Sequence, residues 1–281
     1  MRIAVTGANG FVGRHVLAHL QSLGVETTAV VRNRRNAADL PCEKVVEVDV
    51  HSPLSNTYQQ IGGPDVLIHL AWGGLPNYRA NSHFETELPT HYEFLKSLIH
   101  SGLPRLTVAG TCLEYGMRNG CLEEADITSP TTPYGFAKDC LRRQLEYLQA
   151  SFHFELTWAR LFYVFGAGQS NASLYSQLLA AQSRGICQFE MSGGEQLRDY
   201  MPIGDAARAL VALAMNPTGA NIVNVCSGNP ISVRRLVENW IRENAWSITP
   251  KFGSLPYPNY EPMAFWGSRR KLDSLGMPSG C

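Results

Sequence analysis

The sequence has no apolar run approaching the roughly 18 residues that a helix needs to cross a bilayer. It also has no long apolar stretch with a small-residue cleavage site near Met1, so neither a membrane span nor a signal peptide is expected. It carries no net charge: Lys plus Arg equals Asp plus Glu at 24 each, and without a global field neither nucleic acid nor a membrane is an expected partner. No C-x-x-C pair occurs among the seven cysteines, Cys42, Cys112, Cys121, Cys140, Cys187, Cys226 and Cys281. An odd set without close pairs suits free thiols in a reducing cytosol better than a disulfide frame or a zinc site. His15, His19, His91 and His100 fall along helical stretches without a second ligand at metal spacing, so no metal is expected. Repeats and low-complexity tracts are missing too. These absences describe a soluble, cytoplasmic chain, and its hydrophobic fraction of 44% is ordinary for a sizeable core.

What is present begins at the N-terminus, with Met1-Arg-Ile-Ala-Val-Thr-Gly-Ala-Asn-Gly-Phe-Val-Gly13. The apolar run Ile3 to Val5 reads as a buried strand that breaks at Gly7. Gly10 and Gly13 follow at three-residue steps before an apolar helical stretch, Val16 to Leu23. A strand, a glycine turn and a helix start suit a dinucleotide pyrophosphate, because backbone can approach the phosphates and open N–H groups face their charge. Further strands are expected over Val25–Val31, Val45–Val50, Asp65–Leu70, Leu106–Ala109 and Glu155–Phe162. Long helices are expected over Phe84–Ser101, where Pro89 delays or kinks the start, and over Tyr134–Ala150. This alternation implies a parallel sheet. From about Gly166 it loosens, so residues 1–165 are read as the nucleotide-binding domain. Residues 166–281 are read as a smaller lobe over the sheet edge, with the chain able to cross between the two.

At the end of the second strand of such a fold, an acidic side chain accepts hydrogen bonds from a ribose 2′-hydroxyl. Here that place holds Arg32, with Arg34 and Arg35 close behind. Guanidinium forks suit a 2′-phosphate, which favours NADP(H) with NAD(H) possible; the other reading is a solvated loop. Candidate cofactor contacts are Gly7, Asn9, Gly10, Phe11, Val12 and Gly13 of the turn, Arg32 and Arg35, Asp49 toward the adenine, Val50, and Leu70, Ala71 and Trp72.

Tyr134-Gly-Phe-Ala-Lys138 places a phenol and an ammonium on one face of a helix. A phenol is a poor proton donor–acceptor at neutral pH, and a nearby cation lowers its pKa toward the working range. Upstream, Gly110-Thr-Cys-Leu-Glu-Tyr-Gly116 ends the fifth strand, at the carboxyl edge where open parallel sheets bind ligands. Thr111 there can bond the same substrate oxygen as Tyr134. Glu114 reads as a rim residue and Arg160 as structural or rim. His69 is expected to pack near the cofactor without acting as a base.

With these segments the sequence resembles the extended short-chain dehydrogenase/reductases, specifically the NAD-dependent epimerase/dehydratase branch acting on nucleotide sugars. The resemblance rests on Gly7-x-x-Gly10-x-x-Gly13, His69-Leu-Ala-Trp72, Thr111 four residues before Tyr115, and Tyr134-x-x-x-Lys138. It continues through Arg160-Leu-Phe-Tyr-Val-Phe-Gly166 and Gly194-Glu-Gln-Leu-Arg-Asp-Tyr-Met-Pro-Ile-Gly-Asp205. It implies a Rossmann-like, doubly wound parallel α/β sheet with a smaller C-terminal substrate lobe. It implies Thr111, Tyr134 and Lys138 as the catalytic set, with Tyr134 exchanging the proton and Lys138 also on the nicotinamide ribose. It implies substrate contacts at Thr111, Cys112, Leu113, Tyr163 and Arg198, with Arg198 on the diphosphate. It also implies a homodimer through helices 84–101 and 134–150, whose Phe94, Leu98, Leu141, Leu145 and Leu148 place apolar residues on more than one face.

Departures from the family pattern narrow the reaction. The 4,6-dehydratases carry an Asp-Glu pair directly after the Thr, where this chain has Cys112 and Leu113, which cannot move those protons. The GDP-fucose synthase type has a Cys where this chain has Leu113. A net reductase exchanges spent cofactor and gains from NADPH, so the Arg cluster favours NADPH-dependent reduction of a nucleotide-linked 4-keto-6-deoxyhexose, dTDP-linked, for deoxysugar or surface-polysaccharide synthesis. The alternatives are a 4-epimerase holding NAD tightly and, in another class, a non-catalytic NADP sensor.

Overall fold

In the computed structural model, which describes residues 1–52 and 54–277, strand β1 (Arg2–Thr6) is buried from Ile3 onward on both faces. A run without polar alternation is what a central parallel strand needs. Helix α1 (Phe11–Ser22) buries Val16, Leu17 and Leu20 at helical spacing and turns Arg14 and Ala18 to solvent. A Schellman turn ends it, with the Val25 N–H on the Leu20 carbonyl at 3.2 Å and the Gly24 N–H on Gln21 at 3.0 Å. Strands β2 (Glu26–Val31) and β3 (Lys44–Glu47), the short helix α2 (Thr57–Gln60) and strand β4 (Val66–His69) follow. Helix α3 (Leu88–His100) continues a π-helical turn, His83–Glu87, whose His83 carbonyl accepts the Leu88 N–H, and Pro89 lies at this junction, where it has no N–H to carry the ladder on. Strand β5 (Arg105–Thr111), the short β6 (Gly120–Leu122), helix α4 (Pro133–Gln149) and strand β7 (Glu155–Leu161) come next.

The later elements are shorter. Strand β8 (Tyr163–Phe165), helix α5 (Leu174–Ser183), strands β9 (Gln188–Glu190) and β10 (Leu197–Pro202), helix α6 (Ile203–Met215) and strand β11 (Asn221–Val225) are followed by β12 (Pro230–Ser232) and α7 (Val233–Glu243). Strands β13 (Thr249–Lys251) and β14 (Phe265–Gly267) and helix α8 (Arg270–Ser274) complete the described chain.

Seven strands form the main sheet in the order β11-β7-β5-β4-β1-β2-β3, every pair parallel. The order reverses between β1 and β4, and beyond their carboxyl ends lies the crevice in which such sheets bind ligands. Helices α1 and α6 cover one face through Leu17, Leu20, Leu210 and Leu213. Helices α3 and α4 cover the other through Phe94, Leu98, Leu141 and Leu145. Each such side chain contributes about 1.5–3 kcal/mol by leaving water.

The two parts are not consecutive along the chain. Helix α6 lies in the layer of α1, and β11 pairs with β7 from Asn221↔Thr157 to Val225↔Leu161. The outer edge of β7 and the apolar face of α1 both need cover that residues 1–165 do not supply. The lobe proper consists of the β12-β10-β8 sheet, the β13-β9 pair, α5 and α7, packed around Leu178, Val237 and Trp240. Strand β14 pairs with β6 and fastens the last part of the lobe beside the turn after β5.

One expectation about surfaces needs correction. Phe94, Leu98, Leu141, Leu145 and Leu148 are all buried in the chain's own core, because α3 and α4 pack on the sheet and on each other. They present nothing to a second copy. Among the described residues no helix is long and apolar enough to cross a membrane, and no cluster of three His, Cys, Asp or Glu side chains is arranged for a metal. Six cysteines are free thiols, and Cys281 lies outside the described residues.

Candidate active site

The glycine turn is a cradle in the steric sense. Gly7 has φ +66°, and a Cβ there would sit 2.7 Å from the Ala71 nitrogen; a Cβ on Gly13 would sit 2.2 Å from the Gly7 carbonyl oxygen. Only hydrogen fits at either place. Gly10 is the N-cap of α1 with no side-chain cap, so the first-turn N–H groups are left for a ligand. Beside it lies a cavity of about 420 Å³. Gly7, Asn9, Gly10, Arg32, Asp49, Val50, Leu70, Ala71 and Trp72 line it, together with His51, Glu87 and His91. Arg32 has no hydrogen-bond or ion-pair partner among the described residues. Such a site fits a dinucleotide.

One predicted contact, Arg35, falls elsewhere, and Phe11, Val12 and Gly13 meet the cradle only through their first-turn N–H groups. Arg35 stands exposed on the 3-10 turn Arg34–Asn36 and does not line the cavity, while Arg34 is held by the Glu47 carboxylate and the Val45 carbonyl. Phe11 packs edge-on to His15 at 5.8 Å, and Gly13 serves the contact between α1 and the cradle. Val12 faces the second cavity.

That second cavity, about 230 Å³, shares Leu70 and Trp72 with the first. It brings together Thr111, Cys112, Leu113, Tyr134, Lys138 and Tyr163, with Tyr78 and Glu261 unforeseen. Thr111 caps the 3-10 turn Cys112–Tyr115: its hydroxyl accepts the Leu113 N–H at 3.3 Å, and the Glu114 carboxylate accepts the Thr111 N–H at 2.8 Å. Glu114 is therefore no rim residue. It is fully buried and also accepts from the Trp158 Nε1 at 2.9 Å and the Arg160 Nε at 2.7 Å. The pattern Thr-x-x-Glu is a capping-box signature and is the sign of this. Arg198 also departs from its expected role. It is buried, donates to the Leu197 and Met263 carbonyls and to Glu261, and does not line the cavity, so its charge is already compensated.

Thr132 caps α4 by accepting the Gly135 N–H, which sets Tyr134 and Lys138 one turn apart at the cavity wall. The Lys138 Nζ donates to the Ala109 carbonyl at 2.9 Å and lies 3.9 Å over the Trp72 ring, but 6.0 Å from the Tyr134 ring centre. Burial lowers Lys138 to about 7. Burial also raises the Tyr134 phenol well above its ordinary value, with a Thr111 hydrogen bond acting weakly the other way. The expected lowering of Tyr134 by Lys138 is thus not seen, because the same low-dielectric surroundings disfavour phenolate and ammonium alike.

Beneath Trp72 runs a hydrogen-bonded chain that sequence reasoning missed. Glu87 accepts from His91 at 3.2 Å and from the Gly73 N–H at 2.8 Å, and the His91 bond foremost holds it down at about 2. An ionised Glu87 fixes the tautomers in turn. His91 Nδ1 accepts from His69 Nε2 at 2.8 Å, and His69 Nδ1 accepts the Thr6 hydroxyl at 2.8 Å. Both ring nitrogens of His69 are engaged and burial holds it neutral, so it is no base. His91 stacks on Trp72 at 4.6 Å, completing the seat of Lys138. Glu87 and His91 at helical spacing are the legible sign.

Two outcomes test this geometry. Glu114→Ala leaves Arg160 buried without its partner and is expected to lose about 3–5 kcal/mol in urea denaturation. Lys138 has a folded pKa of about 7 below its ordinary 10.5, so between these values the unfolded chain binds the extra proton and stability rises with pH. Lys138→Met should flatten that rise in urea midpoints measured across the window without cofactor.

Comparison with known proteins agrees with this architecture. Residues 3–226 match the model of the NAD dependent epimerase/dehydratase family. The chain is 30% identical over 272 residues to a dTDP-6-deoxy-L-talose 4-dehydrogenase (NAD(+)) of Aggregatibacter actinomycetemcomitans, covering 96% of this chain and 100% of that protein. A dTDP-6-deoxy-L-talose 4-dehydrogenase (NAD(P)(+)) of Kitasatospora kifunensis is 26% identical over 277 residues, 92% of this chain and 83% of the other. Among solved structures, MoeE5 in complex with UDP-glucose and NAD superposes with a TM-score of 0.84 at 25% identity, over 100% of this chain and 94% of that one. The same protein with UDP-glucuronic acid and NAD gives 0.83 at 25% identity, with the same coverage. A family match running from β1 into the end of β11, and a relative aligned along its whole length, establish the kinship: this chain belongs to the NAD dependent epimerase/dehydratase family, enzymes of the extended short-chain dehydrogenase/reductase type.

Proposed function

We propose that the protein uses NADPH to reduce the 4-keto group of a nucleotide-linked 4-keto-6-deoxyhexose, dTDP-linked, in deoxysugar or surface-polysaccharide synthesis in the cytoplasm. The carrying observation is that Thr111, Tyr134 and Lys138 line one cavity that meets the glycine cradle at Leu70 and Trp72. The cradle residues Gly7, Asn9 and Gly10 with Arg32 would hold a reduced nicotinamide cofactor, which would supply the hydride. Tyr134 supplies the proton, and its burial suits the task by keeping the phenol protonated before the reaction. The Thr111 hydroxyl accepts from the Leu113 N–H, which leaves its own hydrogen to hold the carbonyl oxygen. Lys138 holds the nicotinamide ribose from its seat on Trp72. One hydride on carbon and one proton on oxygen give the alcohol.

Neighbouring residues argue against dehydration. The Cys112 thiol is pushed far up by burial and Leu113 is apolar, so no acid–base pair follows Thr111. These two side chains and Tyr163 form the sugar wall. Arg32, without a partner at the cavity, supports a 2′-phosphate and hence NADP(H), although both cofactors occur in the names of the relatives. The second reading is a 4-epimerase with bound NAD, in which Asp49 of the same cavity would accept the ribose 2′-hydroxyl in place of the adenine contact. A homodimer is part of the proposal, through the α3–α4 face. There Phe136, Arg143 and Tyr147 share the outward stripe of α4, and Phe84 packs against Phe136.

Following the reduced nicotinamide band with NADPH and dTDP-4-keto-6-deoxyhexose tests the activity. Sugar conversion without net NADPH loss indicates the epimerase, and tight NADP binding without turnover indicates a sensor. Tyr134→Phe is expected to lower kcat by about 10²–10⁴-fold. Arg32→Asp is expected to lower the ratio of NADPH to NADH affinity by about tenfold or more; an unchanged ratio removes the NADPH preference.

A further inference from the structure

The reduction leaves one charged group of the sugar cavity unused. Glu261 comes from the segment between β13 and β14 and lines the cavity with Thr111 and Tyr134. Its Oε1 accepts the Tyr163 phenol at 2.5 Å, and its Oε2 accepts the Arg198 guanidinium at 3.1 Å. Burial and the charge of Glu261 keep Tyr163 protonated, so it stays a donor. Arg198 lies behind the carboxylate: its remaining bonds go to the Leu197 and Met263 carbonyls, and its plane rests 4.7 Å from the Phe265 ring. Neither Arg198 nor Phe265 lines the cavity, so the wall presents the carboxylate and not the cation. Each carboxylate oxygen keeps a lone pair beyond its protein donor, and an ionised carboxylate can only accept.

We propose that Glu261 selects the sugar: it accepts a hydrogen bond from a hydroxyl of a neutral hexose and repels a hexose bearing a carboxylate, a uronate. The inference rests on reading the cavity as a nucleotide-sugar site. The fold does not make this choice, since MoeE5 has been solved with both UDP-glucose and UDP-glucuronic acid. The Arg198 guanidinium offsets part of this charge from behind, but the Glu261 oxygens stand nearer the cavity, so a facing carboxylate meets the anion first. Tyr163 and Arg198 act as positioning residues that hold the carboxylate at the wall. Nothing in the sequence pattern marks Glu261, because only the tertiary fold brings this late segment to the end of β5.

The test compares binding of matched nucleotides to the NADP⁺-loaded protein by calorimetry: dTDP-glucose against dTDP-glucuronic acid, and UDP-glucose against UDP-glucuronic acid. The wild type is expected to prefer the glucose nucleotide by about tenfold or more. Glu261→Gln keeps an acceptor oxygen for Tyr163 without the charge. It is expected to bring the two affinities within about twofold, chiefly by tightening the uronate. A wild type without preference overturns the proposal, and that result needs no variant to fold. A preference that Glu261→Gln leaves intact while its melting temperature falls makes Glu261 a structural strap and overturns the proposal equally. Binding is read here and not turnover, so lack of NADPH consumption with keto sugars removes the reductase reading while this result stands. Failure to bind any of the four nucleotides removes both.

Discussion

The carboxylate of Glu114 is the contact on which the site depends. It has no access to water, yet it gathers the Thr111 N–H, the Trp158 indole and the Arg160 guanidinium. A buried ion pair persists only when further hydrogen bonds satisfy it, and here they come from two strands, β5 and β7. The Arg160 plane also lies 4.6 Å from the Tyr115 ring, whose hydroxyl donates to Asn224 of β11 at 2.8 Å. The carboxyl ends of β5 and β7 are thereby tied by Glu114, and β11 is joined to them through Tyr115. The Thr111 hydroxyl has its position because the turn it caps is held from below.

A second buried system stands across the cavity, with the opposite electrostatic character. Around Glu114 the groups are charged and matched. In the chain from Thr6 through His69 and His91 only Glu87 carries charge, and the imidazoles are held neutral with directions set by that one anion. The outcome is mechanical. A neutral His91 can lie flat against Trp72, and Trp72 can then offer its face to Lys138. Charge next to Lys138 would have to be desolvated with it; a stacked ring avoids that.

Much of this is legible in the sequence. Runs such as Ile3–Val5 and Val66–His69 lack alternation, which points to parallel strands buried on both sides, and the glycine steps and the Tyr134–Lys138 spacing are local patterns tied to local geometry. The failures share a different character. Glu114 reads as a rim residue until Arg160, far along the chain, is seen to lie beneath it. Arg198 reads as a phosphate ligand until Glu261 is seen on it. The Thr-x-x-Glu spacing marks the cap that Glu114 makes, but the ion pairs of Glu114 and Arg198 turn on which distant residue becomes a neighbour, and one-dimensional spacing does not carry that. Lys138 and Tyr134 are recognisable as a pair, but the sign of the pKa effect depends on how deeply both are buried.

The return of the chain at β11 bears on how the protein is made. A strand that completes the sheet beside β7 leaves the ribosome only after α5, β9, β10 and α6 have been synthesised. Until then the nascent chain displays a parallel edge with open N–H and C=O groups and a stripe of leucines on α1 with no partner layer. Such surfaces invite pairing with other chains. The interval between translation of β7 and of β11 is therefore the period of greatest exposure to misassembly, and the place where chaperone protection has most to act upon.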